Sequence, residues 1–250
     1  MSNLENANSP VPVSPPPVRT WDFMETTFVT LIAYGVFTLT SGLALIVMVT
    51  MHDGATLSPA QLEALAMQGR WYGAALTIAS PLTITTLWIA IRMARREFSE
   101  YLALNWPSPG ELVRALPVAA IFLVAAIVIG SSGVEEPSAD PLLSVRGAGG
   151  LLILLIGGCI AGPIVEEFVV RGFMFRGWSE SFLGPIGAIV LTSALWGMNH
   201  TQYDWVGRFL IFFLGLALGY LRWRSGSTWL TVMIHSVINI SLFFTMGPYT

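Results

Sequence analysis

The sequence predicts an all-α protein, a polytopic transmembrane bundle of about seven spans behind a disordered N-terminal tail. Three observations carry that expectation. Of the 250 residues, 54% are hydrophobic and only 11% charged, far below the roughly 25% charge of an average soluble domain. Mean hydropathy is +0.68, and the apolar residues fall in runs of the length, about 20 residues, that crosses a bilayer as a helix.

The first 19 residues, MSNLENANSPVPVSPPPVR, have almost nothing to bury and lack the basic n-region and apolar core of a secretion signal. They read as a disordered, cytoplasmic tail, drawn here as 1–24. Membrane helices without a site of their own follow over 25–149, and the chemistry-bearing region over 150–244. Within them the spans fall near 26–51, 71–91, 112–130, 151–178, 185–200, 206–220 and 228–244, the last three short. Between the first two, Ser58 before PAQLEALAMQ is read either as an N-capped surface helix or as a plain connector, the connector being favoured.

All 12 basic residues are arginine. With seven spans, Arg19, Arg92, Arg95, Arg96, Arg114, Arg171, Arg176, Arg222 and Arg224 fall toward one side, against Arg70, Arg146 and Arg208 on the other. The excess marks the cytoplasmic side and places the N-terminus there. So few, scattered cations exclude a nucleic-acid partner, leaving lipid as the surrounding medium. One cysteine, Cys159, excludes an intrachain disulfide framework and a thiolate-rich zinc site, and reads as a small packing residue. No period of 20–50 residues repeats, which argues against a duplicated transporter.

The fourth span carries GPIVEEFVVRGFMFRGW, in which Glu166, Glu167 and Arg171 interrupt an apolar helix. A carboxylate at bilayer depth costs about 2.5–3.5 kcal/mol, so the pair needs compensation. At 100° per residue Glu167 and Arg171 lie about 40° apart and can pair, whereas Glu166 points about 100° away from Glu167. Glu166 therefore needs a polar partner from another helix and is the better candidate for a working carboxylate. Partners stand in WGMNH, which puts Trp196 and His200 on one face, and in HSVIN, which does the same for His235 and Asn239. The third histidine, His52, reads as a solvated loop residue beside Asp53 and Gly54.

These groups meet only if the fourth helix runs on through Arg171 and Arg176 to Trp178, which sets Glu166 about 18 Å deep, with His235 near 10 Å; tilt and side-chain reach close the rest. Gly157, Gly158, Gly162, Gly172, Gly215 and Gly219 would let the helices approach around them. Two chemistries use such a set. A buried Glu can take a proton from water while an imidazole and an amide stabilise the carbonyl oxygen. Alternatively, Glu166, His200 and His235 are a ligand set for catalytic zinc. The residues leave both open.

In order, E-E-x-x-x-R, W-x-x-x-H and H-x-x-x-N resemble the motifs of the CAAX protease and bacteriocin-processing family of intramembrane endopeptidases, also called Abi or type II CAAX prenyl endopeptidase-like. The second motif usually has Phe where Trp196 stands. The resemblance implies a helical bundle with a cavity open to the cytoplasm. It also implies an endopeptidase acting on a membrane-associated or prenylated protein or peptide, in the bacterial inner or plasma membrane. Glu166 and His200 would activate water, His235 and Asn239 would steady the oxyanion, and Glu167 and Arg171 would organise the helix. Zinc and a metal-free glutamate mechanism have both been attached to this family. A non-catalytic binding or bacteriocin-immunity protein of the same fold is the alternative. Site-2, aspartyl and rhomboid chemistries fit worse, for want of H-E-x-x-H, of an intramembrane G-x-G-D, and of a G-x-S-G context at Ser193 or Ser236.

Overall fold

The computed structural model describes residues 20–53, 58, 60, 68–131 and 147–246. The surface helix expected after Ser58, the His52 side chain and residues 1–19 of the tail lie outside the described side chains and segments. Eight helices are found among the described residues: α1 (Phe23–Asp53), α2 (Gly69–Met93), α3 (Phe98–Tyr101), α4 (Pro109–Ser131), a long α5, α6 (Gly184–Asn199), α7 (Trp205–Ser225) and α8 (Thr228–Met246). There is no strand among the described residues. Among the described residues six helices, α1, α2, α4, α5, α7 and α8, are long and apolar enough to cross a membrane, and the protein is an integral membrane protein.

The seventh expected span is α6, whose 16 residues give about 24 Å, less than a hydrocarbon core. The sixth and seventh apolar runs are longer than the sequence suggests, at 21 residues for α7 and 19 for α8. Short connectors join α5 to α6, α6 to α7 and α7 to α8, so these four run antiparallel in turn.

Helix α5 is continuous through Gly147–Ile156, Gly157–Ala161, Gly162–Glu167, Phe168–Met174 and Phe175–Ser179, the second and fourth stretches being π-helical. It passes Arg171 and Arg176 as expected. The wide π turns, absent from a reading at 100° per residue, flank the two carboxylates on both sides, a frequent arrangement at functional sites.

One end of the bundle is closely tied. Asp22 and Glu25 cap α1 reciprocally, Glu25 N donating to Asp22 Oδ1 at 2.9 Å and Asp22 N to Glu25 Oε2 at 3.1 Å. Trp21, placed in the expected 1–24 tail, donates its indole N–H to Ala90 O at 3.3 Å, so ordered structure begins ahead of residue 25. Trp178 of α5 stacks on Phe23 at 5.3 Å and donates to Thr27 at 3.2 Å. The turn between α7 and α8 uses Gly226 in the left-handed region, φ 64°, with its N–H on Arg222 O at 3.0 Å. Thr228 Oγ1 then donates to Leu102 O and Ser227 Oγ to Asn105 O, both at 2.5 Å, while Asn105 Nδ2 donates to Gly226 O at 2.9 Å. These bonds fix the start of α8, and with it the depth of His235.

Glycine sets the interhelical spacing. A Cβ on Gly157 would stand 2.0 Å from Gly73 O and 2.4 Å from Gly73 Cα, against backbone that cannot turn aside. Gly157→Ala is therefore expected to wedge α2 from α5 and destabilise the protein by about 1–3 kcal/mol, read as a lower thermal midpoint in detergent. An unchanged midpoint would deny that close approach. Gly172, Gly215 and Gly219 are likewise filled against Leu102, Ser193 and Ile189. Cys159 is buried beside Leu154 and Phe243, a packing position.

Candidate active site

The site is built on the middle of α5. Glu167 is fully buried and pairs with Arg171 one turn on, Nη1 to Oε1 at 2.9 Å, the pairing that the i,i+4 spacing demands. Arg171 is 1% exposed. Its Nη2 donates to Gly215 O at 3.4 Å, and its guanidinium lies 4.2 Å from the centre of the Trp196 ring. Gly215 itself sets the spacing of α7 against α6, where a Cβ would stand 2.8 Å from Ser193 Cβ.

Glu166, one residue earlier, points elsewhere. It is half-buried, and its Oε2 accepts the Trp196 indole N–H at 2.8 Å. The partner from another helix that Glu166 needs is thus the aromatic of the second motif rather than a histidine. Trp196 also meets Arg171, His200 and His235. Its ring stands edge-to-face with His200 at 5.0 Å and with His235 at 5.3 Å. Sequence reasoning named Trp196 only as a motif position, because a Phe there can pack but cannot donate.

His200 closes α6, at the end pointing away from the arginine-rich end of the bundle, and its Nδ1 meets Trp196 O at 2.7 Å. A carbonyl only accepts, so this bond puts a proton on Nδ1 and leaves Nε2 of the neutral ring as an acceptor. Tyr203 lies parallel to the His200 ring at 6.3 Å. It too escaped the sequence reading, having no motif spacing to mark it.

His235 is 4% exposed, and its Nδ1 lies 3.0 Å from Glu167 Oε1. The carboxylate orients the ring and leaves Nε2 for a ligand, as in carboxylate-histidine pairs elsewhere. Asn239, a turn further along α8, donates through Nδ2 to Gly158 O at 3.0 Å, where the first π stretch opens the backbone of α5. Ser193 donates its hydroxyl to Ile189 O of its own helix at 2.6 Å rather than to an imidazole.

All six candidate residues therefore lie on α5, α6 and α8. Glu166, Glu167, Arg171, His200 and His235 meet around Trp196, and Asn239 follows at the next turn of α8. The zinc expectation fits less well. Among the described residues no group of three or more His, Cys, Asp or Glu side chains is placed to hold a metal ion, so Glu166, His200 and His235 do not form a ligand set in this arrangement. No step below is routed through a metal.

Residues 148–241 match the family model of Rce1-like type II CAAX prenyl endopeptidases, and this part of the chain is similar to that family. It contains α5 from its first turn, α6, α7 and most of α8, and so every residue of the site. The match supports intramembrane protease activity of the CAAX type in general. The comparisons with curated proteins and with solved structures gave no match.

Proposed function

We propose that the protein is an intramembrane endopeptidase that hydrolyses a peptide bond of a membrane-associated or prenylated protein, using water activated by Glu166 and His200 without a metal. The observation that carries this reading is the half-buried Glu166 carboxylate, held on one oxygen by Trp196 and without an ion pair to any described residue, since Arg171 pairs with Glu167.

In this reading Glu166 takes one proton from the bound water, and His200 Nε2 accepts its other hydrogen and aims the lone pair at the substrate carbonyl. Attack on the carbonyl carbon places a negative charge on its oxygen. Asn239 keeps a second amide N–H for that oxygen, and His235, its Nδ1 held by Glu167, supplies another from Nε2 when the ring carries both protons. Collapse of the intermediate breaks the C–N bond, and the proton held by Glu166 passes to the leaving amine. Glu167 and Arg171 touch no reacting atom and act as positioning residues. We place the N-terminus and the arginine-rich end in the cytoplasm, on the excess of arginine there.

The test is cleavage of a farnesylated peptide carrying a fluorophore and quencher across the bond after the lipidated cysteine, by purified protein in lipid. The reading expects cleavage that Glu166→Gln abolishes; equal rates in the two proteins would end it. Trp196→Phe separates the indole N–H from the ring. It keeps a ring for Arg171, His200 and His235 but leaves Glu166 Oε2 unpaired, so kcat is expected to fall about tenfold or more with KM and thermal midpoint near those of the wild type. An unchanged kcat would deny Trp196 a positioning role.

A further inference from the structure

Arg222, in the last turn of α7, has no place in the site above. It is 6% exposed, yet its side chain makes no hydrogen bond or ion pair with any described residue. Its one resolved contact is cationic, the guanidinium lying 5.4 Å from the centre of the Phe175 ring. Nε is shut away without an acceptor. The Nη atoms, which are not among the buried unpaired atoms, keep the little surface the residue has. The other charge close enough to be felt is Arg176, of the same sign.

The carboxylates at this end of the bundle are already engaged. Glu100 pairs with Arg96 at 2.6 Å and faces Arg176 at 3.6 Å, Glu180 pairs with Arg176 at 2.5 Å, and Glu97 pairs with Arg92 at 2.5 Å. Glu111 is turned back on Ser108 and Glu25 on Asp22. Burying a cation costs several kcal/mol unless something compensates it. A cation–π contact returns about 0.5–2 kcal/mol, and Arg176 adds repulsion. An anion from outside the chain is what remains, and a guanidinium with its Nη atoms at the surface offers two parallel donors to an oxyanion.

We propose that Arg222 is a binding site for the phosphate of an anionic phospholipid, seated at the arginine-rich end of the bundle beside Phe175 and Arg176. Of the possible sources of phosphate, lipid is favoured by position. Arg222 stands at the end of a membrane helix, next to Trp223, which is 42% exposed, as an aromatic at headgroup level is. Arg222 also stands seven residues, about 10 Å, along α7 from Gly215, the level that Arg171 of the site reaches.

The full chain, purified in detergent, is offered dioleoyl phosphatidylglycerol, dioleoyl phosphatidylcholine or inorganic phosphate, and retained ligand is counted by native mass spectrometry. Wild-type protein is expected to retain phosphatidylglycerol about tenfold over phosphatidylcholine, the scale of a charge-assisted bidentate contact. Arg222→Gln should lose the preference, while Arg224→Gln, the same charge change at an exposed neighbour, should keep it. On wild-type protein alone, phosphatidylglycerol should raise the thermal midpoint and phosphatidylcholine should not, so the test survives a variant that fails to fold. Equal retention of the two lipids, an Arg222→Gln protein as selective as wild type, or displacement of the lipid by millimolar inorganic phosphate would each overturn the assignment.

Discussion

Glu166→Gln is expected to lower kcat by a factor of about 10²–10⁴, the range lost when a positioned general base is removed, while KM and folded yield stay close to the wild type. Gln keeps the shape of the side chain and an oxygen for the Trp196 N–H, bonded at 2.8 Å in the native protein, so the change removes basicity and little else. The substitution also takes away a half-buried charge that has no ion-pair partner among the described residues, which leaves stability level or raises it. Steady-state cleavage of the farnesylated reporter, with circular dichroism on the same preparations, reads both effects. A large fall in KM-corrected rate together with loss of helicity would speak instead for a structural carboxylate.

Arg171→Met is expected to have the largest effect on stability, about 3–5 kcal/mol. The variant strands Glu167, which is 0% exposed and has Arg171 and His235 for partners, as an uncompensated charge in the centre of the bundle. Arg171 also covers the Trp196 ring and reaches Gly215 O on α7, so its loss loosens three helices at once. Thermal unfolding in detergent should show a midpoint well below that of wild type. Pairing the change with Glu167→Gln should recover part of the loss, because the stranded charge is then gone. Recovery marks the penalty as electrostatic; a double variant no more stable than Arg171→Met would assign it to packing.

Why these two carboxylates behave so differently was legible in the sequence. The offset of about 100° between neighbouring residues on a helix separates Glu166 from Glu167, and the i,i+4 spacing gives Arg171 to Glu167 alone. The depth argument was legible too: Glu166 and His200 can share a level only if α5 runs on past Arg176, as it does to Ser179. The bundle itself follows from composition and run length, and the glycines that admit close approach were visible at Gly157, Gly215 and Gly219.

Other features depend on contacts between distant segments. The two π stretches of α5 leave no mark in hydrophobic period, since each inserts a residue without changing the character of the face. Gly73 matters because Gly157 of another helix meets it, a pairing that neither local sequence announces. Trp196 is marked in the sequence only as a motif position, and only the 2.8 Å bond to Glu166 shows it as the donor that holds the base. The histidines were recognised as site residues, but the nitrogen each offers was not: Trp196 O and Glu167 take the Nδ1 atoms and direct Nε2 toward the substrate. The zinc set is a list of residue types without geometry, and among the described residues no group of three or more such side chains is placed to hold a metal ion.

The most direct measurement is hydrolysis of the farnesylated peptide by the purified, lipid-reconstituted protein in ¹⁸O-enriched water, with the products weighed by mass spectrometry. The account predicts a single ¹⁸O in the new carboxylate of the lipidated fragment, formed by wild type and absent with Glu166→Gln. Folded wild-type protein that leaves the peptide intact, or a Glu166→Gln protein that cleaves it at the wild-type rate, would contradict it.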